Sequence, residues 1–139
     1  MAVFGIGAYY DEDVSSDFIS KECACIGYGK TEVSSLYEML RRIKKGDIIY
    51  IKSYNIKDST VIIKAIGYVI GRNIEEFKFP NSTEPMGFGR KILWKRIFEE
   101  KDEWIRVPLG DEDKKNNVYQ NTLYEEYSDT VSNKILELL

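Results

Sequence analysis

The residues of this chain best placed to do chemistry are tyrosines at the ends of predicted strands. Tyr9 and Tyr10 end the first strand, Tyr28 ends the second, and Tyr54 ends the third, beside Ser53. An aromatic ring offers a flat face on which a planar ligand can stack, so these rings could converge on one mouth of a barrel and line a pocket. The alternative is that some of them pack at strand ends or lie on the surface, as expected in a chain with ten tyrosines.

Basic side chains are the second group that could do chemistry. Arg90 and Lys91 open a later predicted strand. There they could contact phosphate groups, and such contacts orient a nucleic acid without reading its sequence. The alternative is an ordinary solvated surface, because cations near helix ends are common for reasons of the helix dipole.

Catalysis and metal binding are not expected from the residue types. The chain contains no histidine, the side chain that most often transfers protons near neutral pH. Its two acidic clusters, residues 11–13 and 111–113, fall in predicted turns, where solvated carboxylates are ordinary. Cys23 and Cys25 share one face of a predicted strand, where they are poorly placed to pair and do not complete a usual zinc site. We therefore expect no enzyme, no cofactor and no metal.

Length and composition indicate one domain over residues 1–139. Hydrophobic residues make up 43% of the 139 residues, enough to bury a core without disulfides or metal. The net charge of −3 disfavours non-specific binding to nucleic acid, which depends on a basic surface. There is no apolar run of about 18 residues, and residues 1–10 lack the basic flank of a signal peptide. We expect a soluble, cytoplasmic protein with no membrane partner.

Apolar periodicity predicts how the first half of the chain is organised. Residues 2–10 and 23–28 are predicted to be strands, with a short helix between them. The apolar face of the first strand consists of Phe4, Ile6 and Ala8. Helical spacing then predicts an amphipathic helix, which Gly46 ends and whose apolar stripe is Leu36, Met39, Leu40 and Ile43.

A hairpin is predicted next, from residues 47–53 and 60–71, with a turn at 55–59. Alternate residues from 61 to 69 are expected to share one face of its second strand. The remaining segments are predicted as an irregular loop at 77–89, strands at 90–98 and 104–108, a charged loop at 110–117 and a helical turn at 122–126. A terminal helix is predicted at 130–139, docked through Val131, Ile135 and Leu138. These elements predict an α+β domain, a small, curved, mostly antiparallel β-barrel with helices packed outside.

Four short motifs, in the order in which they occur along the chain, together resemble those of the PUA-like superfamily, in particular its EVE-like branch. That branch includes small N-terminal modules of Mrr- and McrB-type restriction enzymes. The likeness covers about residues 2–108. The motifs are Ile26-Gly27-Tyr28-Gly29, Lys45-Gly46-Asp47, Ala65-Ile66-Gly67-Tyr68-Val69 and Lys91-Ile92-Leu93-Trp94.

The resemblance implies a pocket that holds a flipped or free base between aromatic rings, without catalysis. Where the family usually carries a tryptophan after Ile-Gly, this chain has Tyr28. Arg90 and Lys91 would approach phosphate. The ligand-binding residues implied are the stacking tyrosines and a serine at the base edge, namely Tyr9, Tyr10, Tyr28, Tyr54 and Ser53. The implied function is recognition of a base, in particular a modified base in DNA or RNA, either alone or with a separate effector protein.

Two functions of other classes stay open. A protein that sequesters or senses a small free nucleotide is favoured by the acidic net charge of −3. A protein–protein adaptor would instead use Tyr124, Tyr127 and the terminal helix as its docking surface.

Overall fold

The structure, a computed structural model, describes residues 1–27 and 34–139. Within these ranges the chain forms eight strands and four α-helices, with a short 3-10 turn at Lys101–Glu103. The strands are β1 (Val3–Gly7), β2 (Cys23–Cys25), β3 (Ile48–Asn55), β4 (Thr60–Val69), β5 (Glu75–Lys78), β6 (Pro85–Ile97), β7 (Ile105–Pro108) and β8 (Leu123–Glu125). The helices are α1 (Ser15–Ser20), α2 (Ser34–Arg42), α3 (Asp111–Asn116) and α4 (Asp129–Leu138).

All eight strands belong to one strongly curved, half-barrel sheet. Its main path runs β2-β6-β4-β3-β1-β8, while β5 pairs with β6 and β7 pairs with β4. Neighbouring strands are antiparallel except for β1 and β3, which run parallel. The predicted α+β class with a curved, mostly antiparallel sheet is confirmed.

Each face of the sheet carries its own buried cluster. The first core lies between one face and helices α1 and α2, and includes Phe4, Ile6, Phe18, Leu40 and Ile49. The second core lies on the opposite face, against the C-terminal segment, and includes Ile48, Tyr50, Ile63, Val131 and Ile135. The predicted apolar face of β1 is confirmed, as is the docking of the terminal helix through Val131 and Ile135.

A β-bulge at Lys64 interrupts the pairing of β4 with β3, because the register passes from Ile63 to Ala65. A bulge inserts one residue and so exchanges the two faces of the strand beyond it. Val61 and Ile63 accordingly pack in the second core, and Ala65 and Val69 in the first. The prediction that alternate residues from 61 to 69 share one face is therefore wrong.

Residues 77–89 are a hairpin where an irregular loop was expected. Strand β5 pairs with the beginning of β6, and the connection closes through the Phe79 amide, which donates to the Glu84 carbonyl at 2.9 Å. Gly87 makes this hairpin possible, because its φ of +103° favours glycine and a Cβ there would lie 3.2 Å from Gly27. This segment is therefore part of the sheet, with Gly87 at the start of β6.

The C-terminal segment also differs from the sequence prediction. Residues 111–116 form helix α3, and the Asp113 carboxylate holds the start of that helix by accepting from the Gly110 amide at 2.9 Å. The expected helical turn at 122–126 is strand β8, antiparallel to β1. Its side chains alternate, with Leu123 in the first core and Tyr124 in the second. Edge pairing with β1 decides this conformation.

Candidate functional site

A cleft of about 390 Å³ opens where strands β1 and β3 end, and we call it the β1–β3 cleft. Its volume is within the range of about 300–1,000 Å³ typical of small-molecule sites. Because β1 and β3 are parallel, with Gly7 opposite Lys52, the residues that follow both strands meet at the same edge. The lining residues are Gly7, Ala8, Tyr9, Lys52, Ser53, Tyr54, Ile56, Lys64, Tyr119, Gln120 and Thr122.

Three of the predicted ligand-binding residues, Tyr9, Ser53 and Tyr54, line this cleft together. The Tyr54 ring stacks on the Tyr119 ring with centroids 5.6 Å apart and 27° between the planes. Tyr9 is 73% exposed. The cleft therefore combines a braced aromatic wall with a ring whose face is open to solvent.

Tyr10 does not line the β1–β3 cleft. Its hydroxyl donates to the Cys25 carbonyl at 3.0 Å, and its ring packs edge-on against Phe18 and Phe79. It borders a separate depression of about 390 Å³, together with Tyr9 and Gly27. The expectation that Tyr10 stacks in the same pocket as Tyr54 is therefore corrected. Tyr28, the remaining predicted tyrosine, lies outside the described residues.

Arg90 is 2% exposed and is not a surface cation. Its guanidinium donates to the carbonyls of Leu40, at 3.3 Å, and Ile43, at the end of helix α2. It also donates to the Gly71 carbonyl at 2.5 Å. The unpaired carbonyls of a helix C terminus attract a cation, so Arg90 serves the fold. The expectation that it contacts phosphate is corrected, whereas its neighbour Lys91 is exposed.

Lys52 is a cleft residue that the sequence analysis did not single out. It is 7% exposed, and its ammonium donates to the carbonyls of Tyr119 at 2.7 Å and Asn121 at 2.8 Å. The ammonium also lies 5.4 Å from the centroid of the Tyr124 ring. Burial lowers the pKa of Lys52 to about 8. The available signal was its position, two residues from the apolar Tyr50 in a strand otherwise rich in isoleucine.

Lys64, the bulged residue of β4, reaches the same cleft with different partners. Its ammonium pairs with Asp13 Oδ2 at 3.1 Å and lies 4.5 Å from the centroid of the Trp104 ring. The two cleft lysines thus differ in electrostatic partner. Lys64 faces a carboxylate, and Lys52 faces main-chain carbonyls.

A buried hydrogen-bond network supports the aromatic wall from behind. The Glu126 carboxylate accepts from the hydroxyls of Tyr50 at 2.5 Å and Tyr119 at 2.8 Å, and from the Ser128 amide at 3.0 Å. Burial raises the pKa of Glu126 and the pKa values of Tyr50 and Tyr119. Since the Tyr119 hydroxyl is tethered in this way, the ring on which Tyr54 stacks is held in place.

The adaptor hypothesis is changed by the position of Tyr124. Its side chain is buried against Gly5, where a Cβ would come within 2.6 Å of the tyrosine ring. Its hydroxyl lies 2.7 Å from that of Tyr50. Tyr124 therefore cannot present a docking surface, although Tyr127 is exposed.

Comparisons with known proteins add no family to this geometry. No protein-family model matches the chain, and the curated proteins contain no match to it. Over the described ranges, no three acidic or cysteine side chains are grouped so that they could hold a metal ion. None of the helices in the described part of the chain is long and apolar enough to cross a membrane.

Proposed function

We propose that this chain is a non-catalytic nucleobase-recognition module of the PUA-like, EVE-like kind, and that a modified base of DNA or RNA binds in the β1–β3 cleft. The observation that carries the proposal is the parallel pairing of β1 with β3. This pairing brings Tyr9 to the same open cleft as Ser53 and Tyr54, which lie two strands later in the sequence.

Stacking supplies the affinity in this proposal. A base on an aromatic ring gains roughly 1–3 kcal/mol, almost independently of which base it is. Tyr54 is suited to this role, because Tyr119 supports its ring and Glu126 in turn tethers Tyr119. Tyr9 offers a second ring at the opening, and the Ser53 hydroxyl can donate to or accept from the base edge.

The order of the elements supports the PUA-like assignment. The chain runs β1, α1, β2, α2, β3, β4 and the short strand β5 before the long strand β6. The motifs of the resemblance occur in the same order, and a curved, mostly antiparallel sheet is what that family implies.

A second candidate function is sequestration or sensing of a free nucleotide. The position of Arg90 favours it, because this cation is buried under helix α2 and is not available to a phosphate backbone. With a net charge of −3, the chain has little general attraction for long nucleic acids. A small ligand that fills the β1–β3 cleft needs no such attraction.

Binding measurements at low salt test the proposal. Fluorescence anisotropy with short single-stranded oligonucleotides that carry one modified base should show saturable binding, and free nucleosides should compete. Binding should fall in Tyr54→Leu and persist in the control Tyr127→Leu, which alters an exposed tyrosine outside the cleft. If no oligonucleotide, nucleoside or nucleotide binds, the proposal is wrong.

Native mass spectrometry of protein purified from cells separates the two candidates. A retained free nucleotide supports sequestration, whereas retained nucleic-acid fragments support recognition of a base within a polymer.

A further inference from the structure

The positive charges of the two lysines in the β1–β3 cleft have different partners. The Lys64 ammonium has the Asp13 carboxylate at 3.1 Å. For Lys52, no ion pair with a carboxylate occurs among the residues that the structure describes. Lys52 is nevertheless the more buried of the two, at 7% exposure. A buried cation with only neutral partners is costly, so its position at the edge of an open cleft requires a reason.

The hydrogen bonds of Lys52 within the described ranges leave one N–H donor of its ammonium for a ligand. An ammonium has three N–H donors, and within the described ranges two acceptors bond to it, the carbonyls of Tyr119 and Asn121. Those carbonyls fix the position of the nitrogen beside Gly7. A Cβ on Gly7 would lie 3.8 Å from Lys52 Nζ, so the absence of a side chain keeps the cleft open next to the ammonium.

We propose that Lys52 determines which bases the β1–β3 cleft accepts, because its ammonium donates a hydrogen bond to a keto oxygen on the edge of the bound base. This inference rests on the proposed function. On the major-groove edge, guanine presents the keto oxygen O6 and thymine or uracil presents O4, whereas adenine and cytosine present an amino group at the same position. An amino group at that position would point its N–H bonds at the Lys52 ammonium, which has no acceptor atom. Neither the amino group nor the ammonium would then have a hydrogen-bond partner.

The expected discrimination follows from the cost of that mismatch. Leaving one buried donor without an acceptor weakens binding roughly ten- to hundredfold. The lowered pKa of Lys52 is consistent with this role, because a desolvated ammonium gains more from an oxygen acceptor than a solvated one does.

Titrations with nucleosides test the inference. We expect deoxyuridine and deoxyguanosine to bind at least about tenfold more tightly than deoxycytidine and deoxyadenosine. In Lys52→Met, which keeps the apolar stem and removes the donor, this preference should disappear. The matched control is Lys64→Met, which alters the carboxylate-paired lysine of the same cleft and should keep the keto-over-amino ratio. Circular dichroism of both variants checks that they fold.

A second measurement uses the unaltered protein, so it does not depend on folding of the variants. NMR of lysine side-chain nitrogens reports the pKa of Lys52, which should lie near 8 in the free protein. It should rise when deoxyuridine saturates the cleft, since a keto oxygen stabilises the charged form.

The possible outcomes separate this inference from the function beneath it. Equal binding of keto and amino nucleosides, with the pKa of Lys52 unchanged on binding, overturns the role of Lys52 and leaves base recognition standing. If inorganic phosphate alone shifts the Lys52 signals and displaces nucleotides, the acceptor is a phosphate and the keto assignment is wrong. If no nucleoside binds, both the inference and the proposed function fail.

Discussion

The Tyr54 ring stacks on the Tyr119 ring, with centroids 5.6 Å apart and 27° between their planes. The contact joins the end of β3 to the segment that precedes β8, and these two parts of the chain are not neighbours in the sheet. Tyr119 is held in turn by Glu126, which also accepts from Tyr50. The flat, fixed surface of the Tyr54 ring thus depends on residues that lie far from it in the sequence.

Replacing Tyr54 should weaken base binding. In Tyr54→Leu we expect affinity for a base-modified oligonucleotide to fall by about tenfold or more, because stacking contributes roughly 1–3 kcal/mol. Tyr54→Phe keeps the ring and should bind nearly as the unaltered protein does. Anisotropy titrations measure both. Equal affinities for Tyr54→Leu and Tyr54→Phe would show that the ring is not part of the site.

Adding a methyl group at Gly7 should narrow the cleft without unfolding the protein. The nearest atoms to a Cβ there, Lys52 Nζ and the Thr122 carbonyl oxygen, lie at ordinary contact distances of 3.8 and 3.9 Å. We therefore expect Gly7→Ala to bind nucleosides less tightly while its melting temperature changes little. Gly110→Ala is the matched control, since Gly110 lies outside the cleft and a Cβ there would be 3.6 Å from its nearest neighbour, Asp113. A loss of affinity shared by both variants would remove the role assigned to Gly7.

Replacing Arg90 should lower the free energy of unfolding much more than replacing its neighbour Lys91. Arg90→Met removes the donors to the Leu40, Ile43 and Gly71 carbonyls, and unsatisfied buried acceptors cost about 1–3 kcal/mol. Lys91→Met alters an exposed side chain and should change the free energy of unfolding by less than about 0.5 kcal/mol. Urea denaturation followed by circular dichroism compares the two. Coinciding midpoints would mean that Arg90 does not stabilise the end of α2.

Stability should vary with pH in a way that depends on Lys52. Its pKa falls from 10.5 to about 8 on folding, so between these values the unfolded chain holds more protons than the folded one. Lys52 by itself should therefore raise the free energy of unfolding by about 1.6 kcal/mol as pH increases from 8 to 9.5. Cys25 opposes part of this rise near pH 9, because its contact with Cys23 and its burial raise the pKa of its thiol above the usual 9.0.

The buried tyrosines should lower the free energy of unfolding at still higher pH. The pKa values of Tyr50, Tyr119 and Tyr124 are raised above 10.0 by burial, so the unfolded chain loses these protons first and stability should fall above about pH 10. Thermal melts across this range should show the rise and the fall in the unaltered protein. In Lys52→Met only the fall should remain, and a persistent rise would assign it to another group.

Sequence periodicity was sufficient for features that depend on one strand or helix at a time. The alternation of Phe4, Ile6 and Ala8 predicted the buried face of β1, and the spacing of Val131 and Ile135 predicted the docking of α4. Each of these patterns repeats with the period of its own strand or helix, so the buried face can be predicted without knowing which element packs against it.

Features that depend on pairing between distant segments could not be predicted in this way. The bulge at Lys64 is a shift in register between two strands, and alternation within β4 does not report it. Arg90 looked like a surface cation because the carbonyls that bury it belong to a helix about fifty residues earlier in the chain. Similarly, Tyr9 and Tyr10 are adjacent in sequence, but one lines the cleft while the other packs against Phe18.

The central claim, that a base occupies the β1–β3 cleft, is tested most directly by NMR chemical-shift mapping. Amide spectra of the labelled protein would be recorded while an oligonucleotide with one hydroxymethyl-modified uracil is added. We predict that the perturbed amides cluster at Gly7, Ser53, Tyr54 and Gln120 and that those of helix α4 stay unchanged. Saturating addition that leaves the cleft amides in place, or that moves only signals elsewhere, would contradict the account.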